Sequence, residues 1–246
     1  MKKISLLSLL FFVFNMATAQ QEISTAYATQ ATNMFAPLDK NRIPHKVLLD
    51  YGFEYTNLKA YNGTLSDSTV VDVPTLKHIY NTIFSSRVTS ATTGFINPNN
   101  FDSNWKNRTA GTITVSGLYY KYNAFINDAI NLGKVNFVNN QFQDKFVSGV
   151  WQNPYQEFQA FAMAPAISKY EGLSFTVKIP STIFYSNYQS LVQSIQIDFG
   201  NGAGYVTVPF NQNVTISYAT EGVKTWKYKL NLTNGTSLLS QSKIDV

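Results

Sequence analysis

Between Val223 and Leu232 the chain alternates with a period of two: Trp226, Tyr228, Leu230 and Leu232 fall on one side, and Thr225, Lys227, Lys229 and Asn231 on the other. That period belongs to a strand with one buried and one wet face, and it excludes a helix, whose neighbours recur every three or four residues. A half-buried strand needs paired strands beside it and a layer over its apolar side. Asn234-Gly235 supplies a tight turn into a second strand, Thr236 to Val246, because these residue types accept positive backbone angles. Upstream, Ser194 to Phe199 and Tyr205 to Phe210 read as a hairpin across Gly200-Asn201-Gly202-Ala203-Gly204. From Ala164 onward, turn signals recur every eight to twelve residues or so, the spacing of a compact antiparallel β-sandwich.

The preceding stretch is mixed. Ile23, Tyr27, Met34 and Phe35 share a helical face up to Pro37. Asp72 as cap, Pro74 in the first turn, and Leu76, Ile79, Tyr80, Ile83 and Phe84 at helical spacing predict a helix that stops near Arg87 or Val88. Thr89 to Asn107, rich in Ser, Thr, Asn, Gly and Pro, reads as a long loop or contact surface. Short strands are expected at Thr112 to Val115, Leu118 to Tyr122, Lys134 to Val138, Phe146 to Trp151, Phe158 to Met163 and Leu173 to Ile179, while Ala124 to Leu132 fits a short helix instead. The expected fold class is therefore α+β, with a mixed helical and β domain over residues 20–163 and a sandwich over residues 164–246.

Within the second half, Ile197-Asp198-Phe199-Gly200-Asn201-Gly202, then Ser217-Tyr218 and Glu221-Gly222, then Trp226 to Leu232, Asn234-Gly235 and Ile244-Asp245-Val246 together resemble a PKD domain. Asn201 stands where that family usually carries a second Asp, and Ile197 where it carries Trp. The resemblance covers about a third of the chain. It implies an immunoglobulin-like sandwich serving as a noncatalytic spacer, or as a module contacting proteins or carbohydrates on bacterial surfaces, with no active site.

The amino-terminal nineteen residues have the layout of a cleavable secretory signal: Lys2 and Lys3, an apolar run from Ile4 to Phe14, and Ala17-Thr18-Ala19 before Gln20. The run is shorter than the roughly 18 to 20 residues of a spanning helix, so export and a chain that is not integral to the membrane are expected. The chain has no cysteine, which removes disulfides, thiolate nucleophiles and thiolate metal ligands together. Without Lys2 and Lys3, 17 basic residues face 14 acidic ones. Those basic residues are scattered, unlike the concentrated face that nucleic acids require, so no nucleic-acid partner is expected.

The chain has two histidines, His45 and His78, too few for a three-histidine metal site, and no sequence pattern marks a nucleophile. Both histidines read as ordinary loop and helix residues. Gly200 to Gly204 leads into a strand and not into the helix a phosphate loop would open. Asp198 with Asn201 reads as a turn-stabilising pair, or as oxygen donors to calcium. The acids of the central region, Asp144, Glu157, Glu171 and Asp198, carry no spacing that marks a glycosidase pair. Trp105, Trp151 and Tyr155, with Tyr119, Tyr120 and Tyr185, are the aromatic candidates for stacking on a sugar or anchoring a protein. The Asn-x-Thr sequons at Asn62, Asn107, Asn213, Asn231 and Asn234 follow from a composition rich in Asn and Thr.

These readings point to a noncatalytic exported protein of the cell surface, a spacer, adhesion or docking module with other surface proteins or glycans as partners and no cofactor or metal. A carbohydrate-binding protein for polysaccharide capture is the alternative, and a hydrolase fragment the third. The signal predicts that the exported chain begins at Gln20. Mass spectrometry of the chain recovered outside the cytoplasm checks this, and a mass retaining residues 1–19 contradicts it.

Overall fold

The computed structural model describes residues 27–90, 93–104 and 109–246; the signal-like segment lies outside the described residues. The protein is mostly β-strand in several sheets, with a few helices. The described chain divides into two compact units, one including residues 27–39 and 127–154, the other including residues 40–90 and 155–246 with the described part of 93–126.

In the smaller unit, residues 27–34 form helix α1, and the chain of the second segment folds into two separate β-ribbons. Strands β2 (Val135–Val138) and β3 (Gln141–Asp144) pair antiparallel around Asn139-Asn140. Strands β4 (Phe146–Val147) and β5 (Val150–Trp151) pair around Ser148-Gly149. All four turn residues have positive φ, between 49° and 80°, the signature of the two-residue turns whose twist matches that of paired strands. Phe146 to Trp151 is thus a hairpin and not the single strand expected, since its continuous apolar pattern masks a Ser-Gly turn. Ahead of the ribbons, residues 128–134 make one closed turn, with Leu132 N–H on the Asp128 carbonyl and Lys134 N–H on that of Ala129, each at 2.8 Å. The short helix expected over 124–132 does not form, because Ala124 and Phe125 belong to a strand.

The larger unit is organised by that strand, β1 (Thr112–Phe125). It pairs antiparallel with β6 (Tyr155–Pro165) along Val115 to Phe125, and parallel with β7 (Ser174–Lys178) and β8 (Phe184–Ser186) on its other edge. Strand β11 (Asn213–Ser217) extends this sheet beyond β7. A second sheet has the order β10 (Tyr205–Thr207), β9 (Val192–Asp198), β12 (Val223–Leu232), β13 (Ser237–Asp245).

One core lies between these two sheets, joining Ile113, Val115, Tyr119, Phe161 and Phe175 to Ile195, Ile197, Trp226, Tyr228 and Leu230. A second core lies on the other face of the first sheet, under helices α2 (Val73–Ser85) and α3 (Pro98–Asn104), and holds Leu118, Tyr120 and Tyr122 with Leu76, Ile79, Tyr80, Ile83 and Phe101. Strand β1 is therefore buried on both faces, which is why Leu118 to Tyr122 reads as a near-continuous apolar run. On β6 the helix-facing positions are Ala160, Ala162 and Ala164, small enough to admit the large side chains of α2.

The expected boundary between residues 163 and 164 falls inside β6, where Met163 and Ala164 pair with Gly117 and Ser116. The reason is topological: residues 164–246 supply one whole sheet but only part of the other, whose central strand comes from 112–125. The loop expected over 89–107 contains α3, anchored by Phe101, fully buried and stacked on Tyr80 at 4.7 Å. Asp72 caps α2 as expected, its side chain accepting the Thr75 N–H at 2.8 Å.

The alternation of Val223 to Leu232 is realised in β12. Trp226 is fully buried, and its indole N–H donates to the Tyr218 hydroxyl at 2.7 Å. That hydroxyl in turn donates to the Phe199 carbonyl at 2.7 Å. The turn between β12 and β13 is longer than a two-residue one: only Gly235 has positive φ, and Leu232 exchanges hydrogen bonds with Gly235 and Thr236, as in a three-residue loop ending in a glycine bulge. Tyr218→Phe leaves the Trp226 N–H and the Phe199 carbonyl buried without a partner, an expected cost of about 1–3 kcal/mol, and Trp226→Ala costs about 3–5 kcal/mol. Urea denaturation of both variants tests this, and unchanged midpoints would contradict it.

Candidate functional site

On the β1 face that meets the second sheet, the apolar core gives way beyond Tyr119 to polar side chains at Lys121 and Asn123. His45 arrives there on the segment after Pro44, tied down by its backbone N–H to the Asn123 side chain at 3.3 Å. Its ring is held at both nitrogens: Nδ1 lies 2.8 Å from the Tyr188 hydroxyl, and Nε2 2.7 Å from Oε2 of Glu157. Lys121 Nζ donates to the other Glu157 oxygen at 2.7 Å and sits over the Tyr188 ring. The His45 side chain is only 7 % exposed while Glu157 is half exposed.

Burial alone would raise the Glu157 carboxyl, but the hydrogen bonds and charges of Lys121 and His45 outweigh it and hold it below the usual carboxylate range. The fully buried Tyr119 hydroxyl has no hydrogen-bond partner among the described residues. Burial, then the neighbouring Glu157 and Tyr188, push it up to about 12, so it stays protonated. With both ring nitrogens of His45 engaged, this network fixes the 44–48 segment against the sheet.

Beside it lies a cleft of about 190 Å³ lined by His45, Lys46, Arg87, Phe95 and Tyr188, among others. The Arg87 guanidinium lies 3.6 Å from the centre of the Phe84 ring and 5.0 Å from that of Phe95, and its Nε donates to the Phe84 carbonyl. Burial lowers its basicity and the Tyr80 and Tyr120 hydroxyls partly oppose this. Asn187 holds the Lys121 backbone through both its amide oxygen and its amide nitrogen, which sets Tyr188 in place.

The smaller unit presents a different surface. Ile130, Leu132, Phe137, Val138, Val147 and Val150 are between 40 % and 63 % exposed, although large apolar side chains normally find cover. Among the described residues each ribbon has two strands, and a two-stranded ribbon presents backbone donors and acceptors along its edges.

The residues singled out from sequence are dispersed. Trp105 lies outside the described residues. Trp151 is half-buried on β5, its indole N–H donating to Asp144 at 2.8 Å. Tyr155 is 6 % exposed and parallel to Phe125 at 5.6 Å, a packing element and not a displayed ring; the neighbouring pair Tyr119 and Tyr120 is fully buried as well. Asp198 accepts the Gly200 N–H at 2.9 Å and the Asn201 oxygen accepts that of Ala203, the local bonding of turn-stabilising residues. A Cβ at Gly200, where φ is +69°, would stand 3.0 Å from the Thr225 carbonyl, so this turn requires glycine. Among the described residues no group of three or more His, Cys, Asp or Glu is placed to hold a metal ion, and no helix is long and apolar enough to cross a membrane. His78 is exposed on α2.

The chain matches no protein-family model and no curated protein. The lowered Glu157 carboxyl stabilises the fold above its ordinary range, and that contribution is lost as pH falls through the lowered value. Glu157→Gln should therefore be less stable than wild type at neutral pH, with the difference shrinking in acid; melting temperatures of both proteins from pH 7 down to pH 3 check this, and parallel curves contradict it.

Proposed function

We propose that this chain is an exported, noncatalytic surface protein whose β-rich body displays the two ribbons as a docking face for a protein partner. The reading rests on one observation, the exposure of Phe137, Val138, Val147 and Val150 on tightly turned ribbons. Rigid turns hold these side chains in place, so binding them loses little conformational freedom. The open ribbon edges favour a polypeptide over a lipid surface, because hydrocarbon cannot satisfy exposed backbone groups whereas an added strand can. In this reading the two-sheet part, with Trp226, Tyr218 and Phe199 at its centre, is a PKD-like, immunoglobulin-like spacer. The polar atoms of the His45 network are turned on one another, which suits a structural role better than turnover.

The mature chain immobilised on beads and exposed to solubilised cell-surface proteins should retain a discrete partner. Val138→Ser/Val147→Ser/Val150→Ser should lose it while melting at a similar temperature. Equal retention by the variant, or binding to protein-free lipid vesicles instead, would overturn the reading.

A further inference from the structure

We infer that Asn201, in the turn between β9 and β10, is a site of spontaneous conversion to aspartate and isoaspartate, selected by the fold from three Asn-Gly pairs of equal local chemistry. The pairs are Asn62-Gly63, Asn201-Gly202 and Asn234-Gly235. In each, the glycine nitrogen can lose its proton to solvent and attack the asparagine Cγ. The N–Cγ bond forms, the Cγ–Nδ2 bond breaks and ammonia leaves. Water then opens the imide ring at either carbonyl, which gives aspartate or, with one more carbon in the backbone, isoaspartate. Glycine permits the approach because it has no side chain to obstruct it.

The asparagine side chains do not tell the sites apart, since each oxygen accepts the N–H two residues on: Thr64 at 3.0 Å, Ala203 at 3.2 Å and Thr236 at 3.1 Å. The nucleophiles do. Gly235 N–H is donated to the Leu232 carbonyl at 3.0 Å, and an amide that holds its proton in a hydrogen bond attacks poorly. The Thr236 hydroxyl gives the Asn234 oxygen a second donor at 2.8 Å, which polarises that carbonyl but does not release Gly235. Gly63 is clamped in another way: its carbonyl accepts the Leu239 N–H at 2.8 Å, and the Leu238 side chain lies 2.5 Å from where a Cβ would stand. Its peptide plane cannot swing toward Asn62 without leaving β13. Gly202 has neither restraint. Among the described residues its N–H and carbonyl have no hydrogen-bond partner, it is exposed, and nothing lies within 4 Å of its Cβ position. Exposure of the asparagine alone would choose Asn234 over the half-buried Asn201. The product is tolerated, because an aspartate keeps the oxygen that receives the Ala203 N–H and gives up only the 3.4 Å bond from Nδ2 to the Ser217 carbonyl. The turn thereby gains a carboxylate in addition to Asp198.

Ageing of the mature protein in mildly alkaline buffer, folded and in urea, followed by peptide mass mapping, tests the assignment. In the folded protein Asn201 should show the mass of an amide-to-acid change first, with Asn234 slower by about twofold to tenfold, the factor that one ordinary hydrogen bond imposes, and Asn62 slower as well. In urea the three should convert at similar rates. Asn201→Gln, whose side chain is one carbon longer, should lose the fast step. Conversion of Asn62 or Asn234 ahead of Asn201 in the folded protein, or the same order and ratio in urea as in the fold, would overturn it.

Discussion

The pairing of β1 with β6 carries the larger unit. Two cores depend on it, because β1 turns Ile113, Val115 and Tyr119 to the second sheet and Leu118, Tyr120 and Tyr122 to the helices. Neither layer has another place to bury its apolar face. Buried tyrosines make the strand wide as well as apolar; among the described residues the Tyr119 and Tyr122 hydroxyls have no partner, whereas Tyr120 donates to the Gly94 carbonyl and Tyr80 of α2 to that of Ile96. The Gly94–Ile96 segment is thereby drawn onto the core, bringing Phe95 to the wall of the Arg87 cleft.

Cleft and network exist because that strand outruns its cover. Past Tyr119 the second sheet no longer supplies apolar partners, and the positions that would have been core become Lys121 and Asn123, facing His45, Glu157 and Tyr188. The exposed end of a doubly covered strand has to be closed by polar groups that satisfy one another. Here the closure joins His45 to Tyr188, 143 residues apart along the chain.

Local chemistry was readable in the sequence where a residue's role is decided by its neighbours along the chain. The Asp72 cap, the one-sided apolar spacing of α2 and the alternation of β12 all belong to that class. The β9–β10 hairpin was readable too, because Asp198 and the glycines after it act within a few residues. What escaped was set at long range. Strand β1 has no alternation to betray it once both faces are covered, and its parallel partners β7 and β8 lie some sixty residues downstream. A sandwich boundary drawn at 163/164 therefore cut through β6. Phe101 could not be distinguished from a loop residue until Tyr80 and Tyr185 enclosed it. His45 and Glu157 gave no signal in spacing, and Tyr155 resembled a displayed ring because nothing local announced Phe125 beside it.

Phe125 and Tyr155 face each other at the last rung of the β1–β6 ladder, so the excursion that carries the ribbons leaves and re-enters the larger unit at one rung. The entropy of closing a loop grows only with the logarithm of its length, and here the ends are already clamped. A change in the length of this inserted segment therefore alters the closure entropy borne by the β1–β6 pairing only slightly.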